Sequence, residues 1–222
     1  MTRDSRKLVE FFFDPISPYA WLASKELDRL EAAGFTIDCR PVLFAALLNA
    51  HGQKGPAEVP AKRLYIFRDV MRLAALHGWP FQGPPTHPYN PLRALRLCTA
   101  LENRDERMRL ARALLAAAWE RGEDLNDDAV LTRILDGCGL AQQNLTAAAD
   151  TPEIKDRLTA ATRAAIEAGI FGVPTFRFQG ELFWGFDSID SLLWRAAGNG
   201  IDESLLQELL SRAPSAQRKL PA

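Results

Sequence analysis

Cysteine is scarce in this chain, and its placement is as informative as its scarcity. Only Cys39, Cys98 and Cys138 occur in 222 residues, far apart and with no C-x-x-C among them. That excludes a local dithiol redox centre and the common zinc spacings, and each thiol reads as a small core residue. Histidine is equally sparse. His51, His77 and His87 form no H-E-x-x-H, and neither a G-x-S-x-G elbow nor a phosphate-binding loop is present, so no metal centre is expected. An excess of either charge is also missing: 27 Lys and Arg against 28 Asp and Glu leave a formal net charge of -1. General affinity for nucleic acid or for an anionic membrane surface is therefore not expected, and any anion site must be local. No window approaches the roughly 18 apolar residues of a membrane span. The opening MTRDSRKLVEFFFDP has no apolar run followed by a small-residue cleavage site, which points to a cytoplasmic protein. What remains is ordinary for a soluble globular chain: 47% hydrophobic and 25% charged residues, enough to bury the core of one or two domains.

The stretch "LVEFFFDPISPYAWLASKEL", residues 8–27, carries the first positive signal. An apolar run from Leu8 to Phe13 reads as a strand that breaks at Asp14-Pro15. After Ser17-Pro18 the spacing of Trp21, Leu22, Leu27 and Leu30 becomes helical. Alternation of Phe35, Ile37 and Cys39 with Thr36, Asp38 and Arg40 then gives a second strand ended by Pro41. Residues 8–42 are thus a βαβ unit with parallel strands and a right-handed crossover. Ser17 stands where a strand ends and a helix begins. It is either an N-cap preceding a first-turn proline or part of a site where backbone N–H groups and the helix dipole favour an anion.

The next hundred residues are helical. Apolar residues recur at helical spacing around Leu64–Ala74, Ala94–Leu101, Met108–Trp119 and Val130–Leu135, with no strand signal between them. The loop "HGWPFQGPPTHPYNPLRAL" between the first two is dense in Pro and Gly and carries His, Trp, Phe, Tyr, Asn and Arg side chains. It is a connector or one wall of a pocket. A helix capped by Thr151 with Pro152 runs toward Gly169, after which "FGVPTFRFQGELFWG" reads as a hairpin turning at Gln179-Gly180. Asp187 is expected to cap a following helix and Asp202 another. The order is βαβ, helical block, helix, ββα.

That order, with F-D-x-x-S-P-Y at 13–19, "GQKGPAEVPAKRLYIFRD" at 52–69, "HPYNPLRALR" at 87–96, "FGVPTF" at 171–176 and "FWGFDSID" at 183–190, resembles the DsbA branch of the thioredoxin fold. It is most similar to the 2-hydroxychromene-2-carboxylate isomerase family and its relatives, the kappa-class glutathione transferases. The resemblance implies an α/β thioredoxin-like fold with a large all-helical domain inserted between the βαβ and ββα halves. Residues 1–45 and 151–222 would form the thioredoxin-like domain, and 46–150 the insertion.

Disulfide-exchanging relatives open the first helix with C-x-x-C, whereas this chain has Ser17-Pro18-Tyr19-Ala20. It cannot cycle a dithiol there, so the resemblance implies that the thiolate is brought in by glutathione and stabilised by Ser17 as a hydrogen-bond donor. It further implies a cis bond before Pro174, with the backbone of Val173 pairing with the cysteinyl unit of glutathione. Asp187 would meet the γ-glutamyl ammonium, or merely cap its helix. The γ-glutamyl carboxylate would sit at the helix beginning at Ser188, and Gln53 and Lys62 would reach the glycyl end; Lys62 and Arg63 equally suit a solvated helix face. For an aromatic carboxylate substrate, Tyr89, Asn90 and Arg93 are the candidate contacts, with Phe12 or Trp184 packing nearby. Relatives in these families imply a possible homodimer. A kappa-like transferase and a non-catalytic thioredoxin-like binder are the competing functions.

Overall fold

The structure, a computed structural model, describes residues 7–216. Strand β1 (Lys7–Phe13) leads through a short loop into α1 (Pro18–Lys25) and α2 (Leu27–Ala32), and the chain returns as β2 (Phe35–Pro41). The single helix expected from the spacing of Trp21 through Leu30 is broken at Glu26. There Ser24 Oγ donates back to the Trp21 carbonyl (2.7 Å) and the Glu26 N–H donates to the Ala23 carbonyl, which tightens the last turn.

The helical segment comprises α3 (Phe44–Ala50), α4 (Pro60–His77), α5 (Leu92–Ala100), α6 (Arg104–Trp119), α7 (Asp128–Gly137) and α8 (Leu145–Asp150). Short α3 and α8 gave no clear periodic signal in sequence. After α9 (Pro152–Glu167), capped by Thr151 as expected, come β3 (Thr175–Phe178) and β4 (Glu181–Trp184). They join through Gln179-Gly180, both at positive φ (53° and 86°), the tight turn that suits the strand twist. The chain closes with α10 (Ile189–Ala196) and α11 (Glu203–Ser211). Asp202 Oδ1 caps α11 by accepting from the Leu205 N–H (2.9 Å). Asp187 does not cap α10. It lies inside a 3₁₀ turn, Phe186–Ser188, and Ser188 precedes the helix instead, because the chain tightens after Gly185 before α-helical bonding begins.

The sheet order is β2-β1-β3-β4, with β1 and β2 parallel and the other neighbours antiparallel. Phe11 stands opposite Cys39 on one side and Phe176 on the other, and the Phe11 and Phe176 rings stack at 5.0 Å. Strand alternation sends Val9, Phe11 and Phe13 to the main core, whereas Phe12 joins Val42, Leu47, Ala165, Ile170 and Val173 in a smaller cluster on the other face. Each buried phenylalanine contributes about 2 kcal/mol of transfer free energy to this arrangement.

The main core runs without a break from the sheet into the helical segment. Trp21, Phe11 and Phe176 share it with Leu114, Ala118 and Trp119. Polar ties cross the same boundary: Glu120 accepts from Trp21 Nε1 and pairs with Lys25, each at 2.9 Å, and buried Asp38 binds Arg107 at 2.7 Å. The helices between β2 and α9 therefore interrupt the chain of the α/β half while sharing its core. No strand pairs into the sheet from this segment among the described residues.

Candidate active site

Ser17 is the first residue to consider, since it sits where β1 has ended and α1 begins. Its backbone is extended (φ -91°, ψ 118°), and its Oγ accepts from the Ala20 N–H at 3.2 Å, so the capping role is present. The same hydroxyl donates to the Val173 carbonyl at 3.4 Å, a long and weak contact. Only 7% of Ser17 is exposed, and its proton lies at the N-terminus of α1 facing the chain segment before β3.

That facing segment is Val173-Pro174, joined by a cis bond. The Pro174 carbonyl accepts from the Gly185 N–H at 2.9 Å, which continues the β3–β4 pairing past the strand ends. Among the described residues the Val173 N–H donates to no protein group, so an extended chain laid beside it would find an unused donor. Gly185 has φ 98°, a region that favours glycine, and a Cβ there would collide with Asp187 Oδ1. The turn thus holds the Asp187 carboxylate close against the backbone. Ser188 Oγ donates to the Gly185 carbonyl (2.8 Å), which leaves the N-terminus of α10 without a side-chain cap.

Tyr19, in the first turn of α1, donates to Asp69 Oδ2 on α4 at 2.8 Å. Burial, the Asp69 hydrogen bond and the negative charges of Asp69 and Asp187 raise its phenol well above the usual range, so it is held as a neutral donor.

The loop ahead of Ser17 is clamped from both sides, by Asp14, Trp119 and His87, which sequence reading gave no site role, and by Tyr89, which it assigned to the substrate. Asp14 is fully buried. Its Oδ1 accepts from the Ile16 N–H and its Oδ2 from the Phe44 N–H, each at 3.0 Å, tying the β1–α1 loop to the start of α3. Burial pushes its carboxyl up to about 7 against the opposing pull of those two N–H donors. On the other side, Tyr89 Oη (2.7 Å) and Trp119 Nε1 (2.9 Å) both donate to the Pro15 carbonyl, and His87 Nε2 lies 3.0 Å from the Ile16 carbonyl. Burial lowers the His87 pKa, so the neutral ring donates through Nε2. The signal that could have found Asp14 was its place directly before Pro15 and after the Phe11-Phe12-Phe13 run that ends the strand.

The expected site residues are thus dispersed into three groups. Ser17, Val173 and Pro174 are brought together, with Asp187 and Ser188 on the turn bonded to Pro174. Gln53 lies in the α3–α4 loop and Lys62 in the first turn of α4, the helix that carries Asp69; both are exposed. Tyr89, Asn90 and Arg93 have other partners. Tyr89 is 8% exposed with its hydroxyl on Pro15, Asn90 Oδ1 accepts from the Leu92 N–H, and Arg93 pairs with Asp128 and, at 3.9 Å, with Asp150. Phe12 belongs to the second cluster behind the sheet, and Trp184, 56% exposed, packs on Phe171. A groove of about 470 Å³ lies elsewhere, between α9 and the sheet, where Arg40, Arg107 and Arg177 are already engaged by Glu10 and Asp38.

Chemically, the site offers a hydroxyl proton and a helix N-terminus but no thiol of its own. All three cysteines are buried, and burial pushes Cys39 up to about 12 and raises Cys98 and Cys138. A βαβ–helices–ββα chain with a serine at the first helix and a cis-proline turn opposite defines a thioredoxin-fold protein of the DsbA branch. Residues 8–195 match the DSBA-like thioredoxin domain, and the chain belongs to that family, in the company of the 2-hydroxychromene-2-carboxylate isomerases. Over 193 residues it is 30% identical to the 2-hydroxychromene-2-carboxylate isomerase of Sphingobium xenophagum, covering 84% of this chain and 96% of the relative. Over 180 residues it is 29% identical to glutathione S-transferase kappa 1 of Rattus norvegicus, covering 76% and 80%. A solved 2-hydroxychromene-2-carboxylate isomerase superposes with a TM-score of 0.78 at 25% identity, covering 91% of this chain and 96% of that one.

Proposed function

We propose that this protein is a glutathione-dependent isomerase of the 2-hydroxychromene-2-carboxylate type, acting on an aromatic enone or enol carboxylate. The observation that carries the reading is the Ser17 hydroxyl. It is held at the N-terminus of α1 by the Ala20 N–H, and its proton rests on a weak 3.4 Å contact to the Val173 carbonyl. A thiolate beside α1 takes that proton's hydrogen bond while the oxygen keeps accepting from Ala20, so stabilising the anion leaves the cap intact. The chain has no accessible thiol to fill this role.

The residues present fit glutathione. The unused Val173 N–H and its carbonyl offer an antiparallel pairing to the cysteinyl unit, as exposed strand edges do. Asp187 faces the γ-glutamyl ammonium, the uncapped N-terminus of α10 at Ser188 favours the γ-glutamyl carboxylate, and Gln53 and Lys62 serve the glycyl end. When bound, glutathione supplies the nucleophilic thiolate, whose reversible addition to a conjugated carbon permits rotation about the former double bond. Ser17 holds the sulfur ionised, with the α1 dipole adding to the same preference.

For the substrate, the partners already taken by Asn90 and Arg93 shift the expected contacts toward α4. Arg63 donates to the His87 carbonyl (3.2 Å) and lies 5.7 Å over the Phe67 ring, which packs edge-on against His87. This gives a cation beside an aromatic wall next to Ile16-Ser17, the arrangement an aromatic carboxylate requires.

A kappa-like transferase is the second reading, supported by the similarity to the rat enzyme. Glutathione titration followed by ultraviolet thiolate absorbance tests the binding, and absence of binding defeats both readings. Turnover of 2-hydroxychromene-2-carboxylate at constant total glutathione supports the isomerase, whereas consumption of glutathione in step with product supports the transferase.

A further inference from the structure

The groove of about 470 Å³ between α9 and the sheet has no part in the function proposed above, for Ser17, Val173 and Asp187 do not line it. Its floor is apolar. Phe12 of β1 and Val42 just past β2 face Ala160, Ala161, Ala164 and Ala165 of α9, whose short side chains keep helix and sheet apart. Four arginines line it as well, Arg40 and Arg177 from the sheet, Arg107 from α6 and Arg157 from α9. Their carboxylate partners number three: Glu10 serves Arg40 and Arg177, Asp38 serves Arg40 and Arg107, and Glu102 serves Arg157. One positive charge is left over. Donors are left over too. Among the described residues Arg40 and Arg157 reach their carboxylates through Nη2 alone and Arg177 through Nε alone, and the Arg107 Nε is buried with no partner.

An apolar floor disfavours a hydrated inorganic anion, and the surplus charge goes unused by a neutral apolar molecule. We propose that the groove binds a small monocarboxylate with an apolar body, the body against Phe12 and the α9 alanines and the carboxylate on the free N–H groups of the arginines. Its volume falls within the ~300–1,000 Å³ of small-molecule sites. The guanidinium fork matches a carboxylate, and the existing ion pairs hold the forks in place before a ligand arrives. Arg177 joins the two parts of the site, since its guanidinium also lies 5.5 Å over the Phe12 ring.

Calorimetric titration of the full chain without glutathione, using 1-naphthoate and decanoate, tests this. At least one acid should bind, and which one does tells an aryl body from an acyl one. Binding should persist in Arg63→Gln, which removes the cation beside Ser17, and the groove is then tested in that background. There the matching neutral alcohol, 1-naphthylmethanol or 1-decanol, should bind at least about tenfold more weakly. Ala161→Trp, at an exposed position of α9, should fill the groove and abolish binding with an unchanged far-ultraviolet spectrum. Arg40→Gln with Arg157→Gln should weaken binding at least about tenfold, while Glu10 and Asp38 keep Arg177 and Arg107. The inference is overturned if neither acid binds, if the alcohol binds as well as the acid, if binding survives Ala161→Trp, or if the arginine pair has no effect. Loss of all binding in Arg63→Gln alone overturns it too, by moving the carboxylate to the site beside Ser17. Glutathione titration of the groove variants should match wild type, so failure here and failure of the proposed function are separate results.

Discussion

Ser17 and Val173 lie 156 positions apart in sequence, yet the Ser17 hydroxyl donates to the Val173 carbonyl while accepting from Ala20. The two contacts are unequal. Capping uses the oxygen at 3.2 Å, and the 3.4 Å contact holds the proton so weakly that a better acceptor can take it.

Ser17→Ala removes both. The lost cap should cost about 1 kcal/mol of stability. Loss of a charge-assisted bond worth roughly 1.5–3 kcal/mol should slow turnover about ten- to a hundredfold at neutral pH, with recovery at higher pH where the thiol ionises unaided. Thiolate absorbance against pH, measured beside the rate, checks this. Equal thiolate pKa values in wild type and mutant would reduce Ser17 to a helix cap.

Asp14 predicts an unusual pH dependence of stability. Its folded pKa of about 7 exceeds the unfolded value of 3.8, so between these values the folded state holds a proton that the unfolded state has released. Its contribution is complete below pH 3.8 and is lost as pH rises through about 7, a swing of about 4 kcal/mol. Urea midpoints from pH 4.5 to 8 should fall more steeply for wild type than for Asp14→Asn, with chemical denaturation as the measurement. Parallel curves would show the carboxyl to be ionised throughout.

Tyr89→Phe separates a structural role from substrate contact. The Pro15 carbonyl keeps Trp119 as a donor, so the cost should be about 1 kcal/mol of stability with little change in substrate KM. A KM raised tenfold without loss of stability would return Tyr89 to the substrate wall.

The cysteines should be dispensable. Cys39 and Cys98 have no exposed surface and raised thiol pKa values, so a disulfide reagent should leave these two thiols untouched in the native protein at pH 8 and label them only on unfolding. Replacing Cys39, Cys98 and Cys138 by Ala should preserve glutathione-dependent turnover. Loss of activity with an intact fold would place the reacting sulfur inside the chain.

Much of this was legible in the sequence. Alternation in Phe35–Arg40, the switch of period after Ser17-Pro18 and the Gln179-Gly180 turn are local events, each decided by residues within a few positions of one another, and the structure has all three. The missing C-x-x-C was equally a sequence fact. Helical periodicity placed α4 through α7 for the same reason.

Tertiary structure alone decided which polar groups are already engaged. The motif loop offered Tyr89, Asn90 and Arg93 as free side chains, but burial of the Asp14–Ser17 loop leaves its carbonyls in need of donors, and Tyr89 from the α4–α5 loop and Trp119 from the end of α6 meet that need. Arg93 found its carboxylates on α7 and α8, and Asp187 gave way as a cap because Gly185 turns the chain into a 3₁₀ turn first. Spacing along a chain determines which side chains share a face. Which of them remain unpaired depends on groups a hundred residues away, because the free energy of a buried hydrogen bond is settled by its partner and not by its neighbours in sequence.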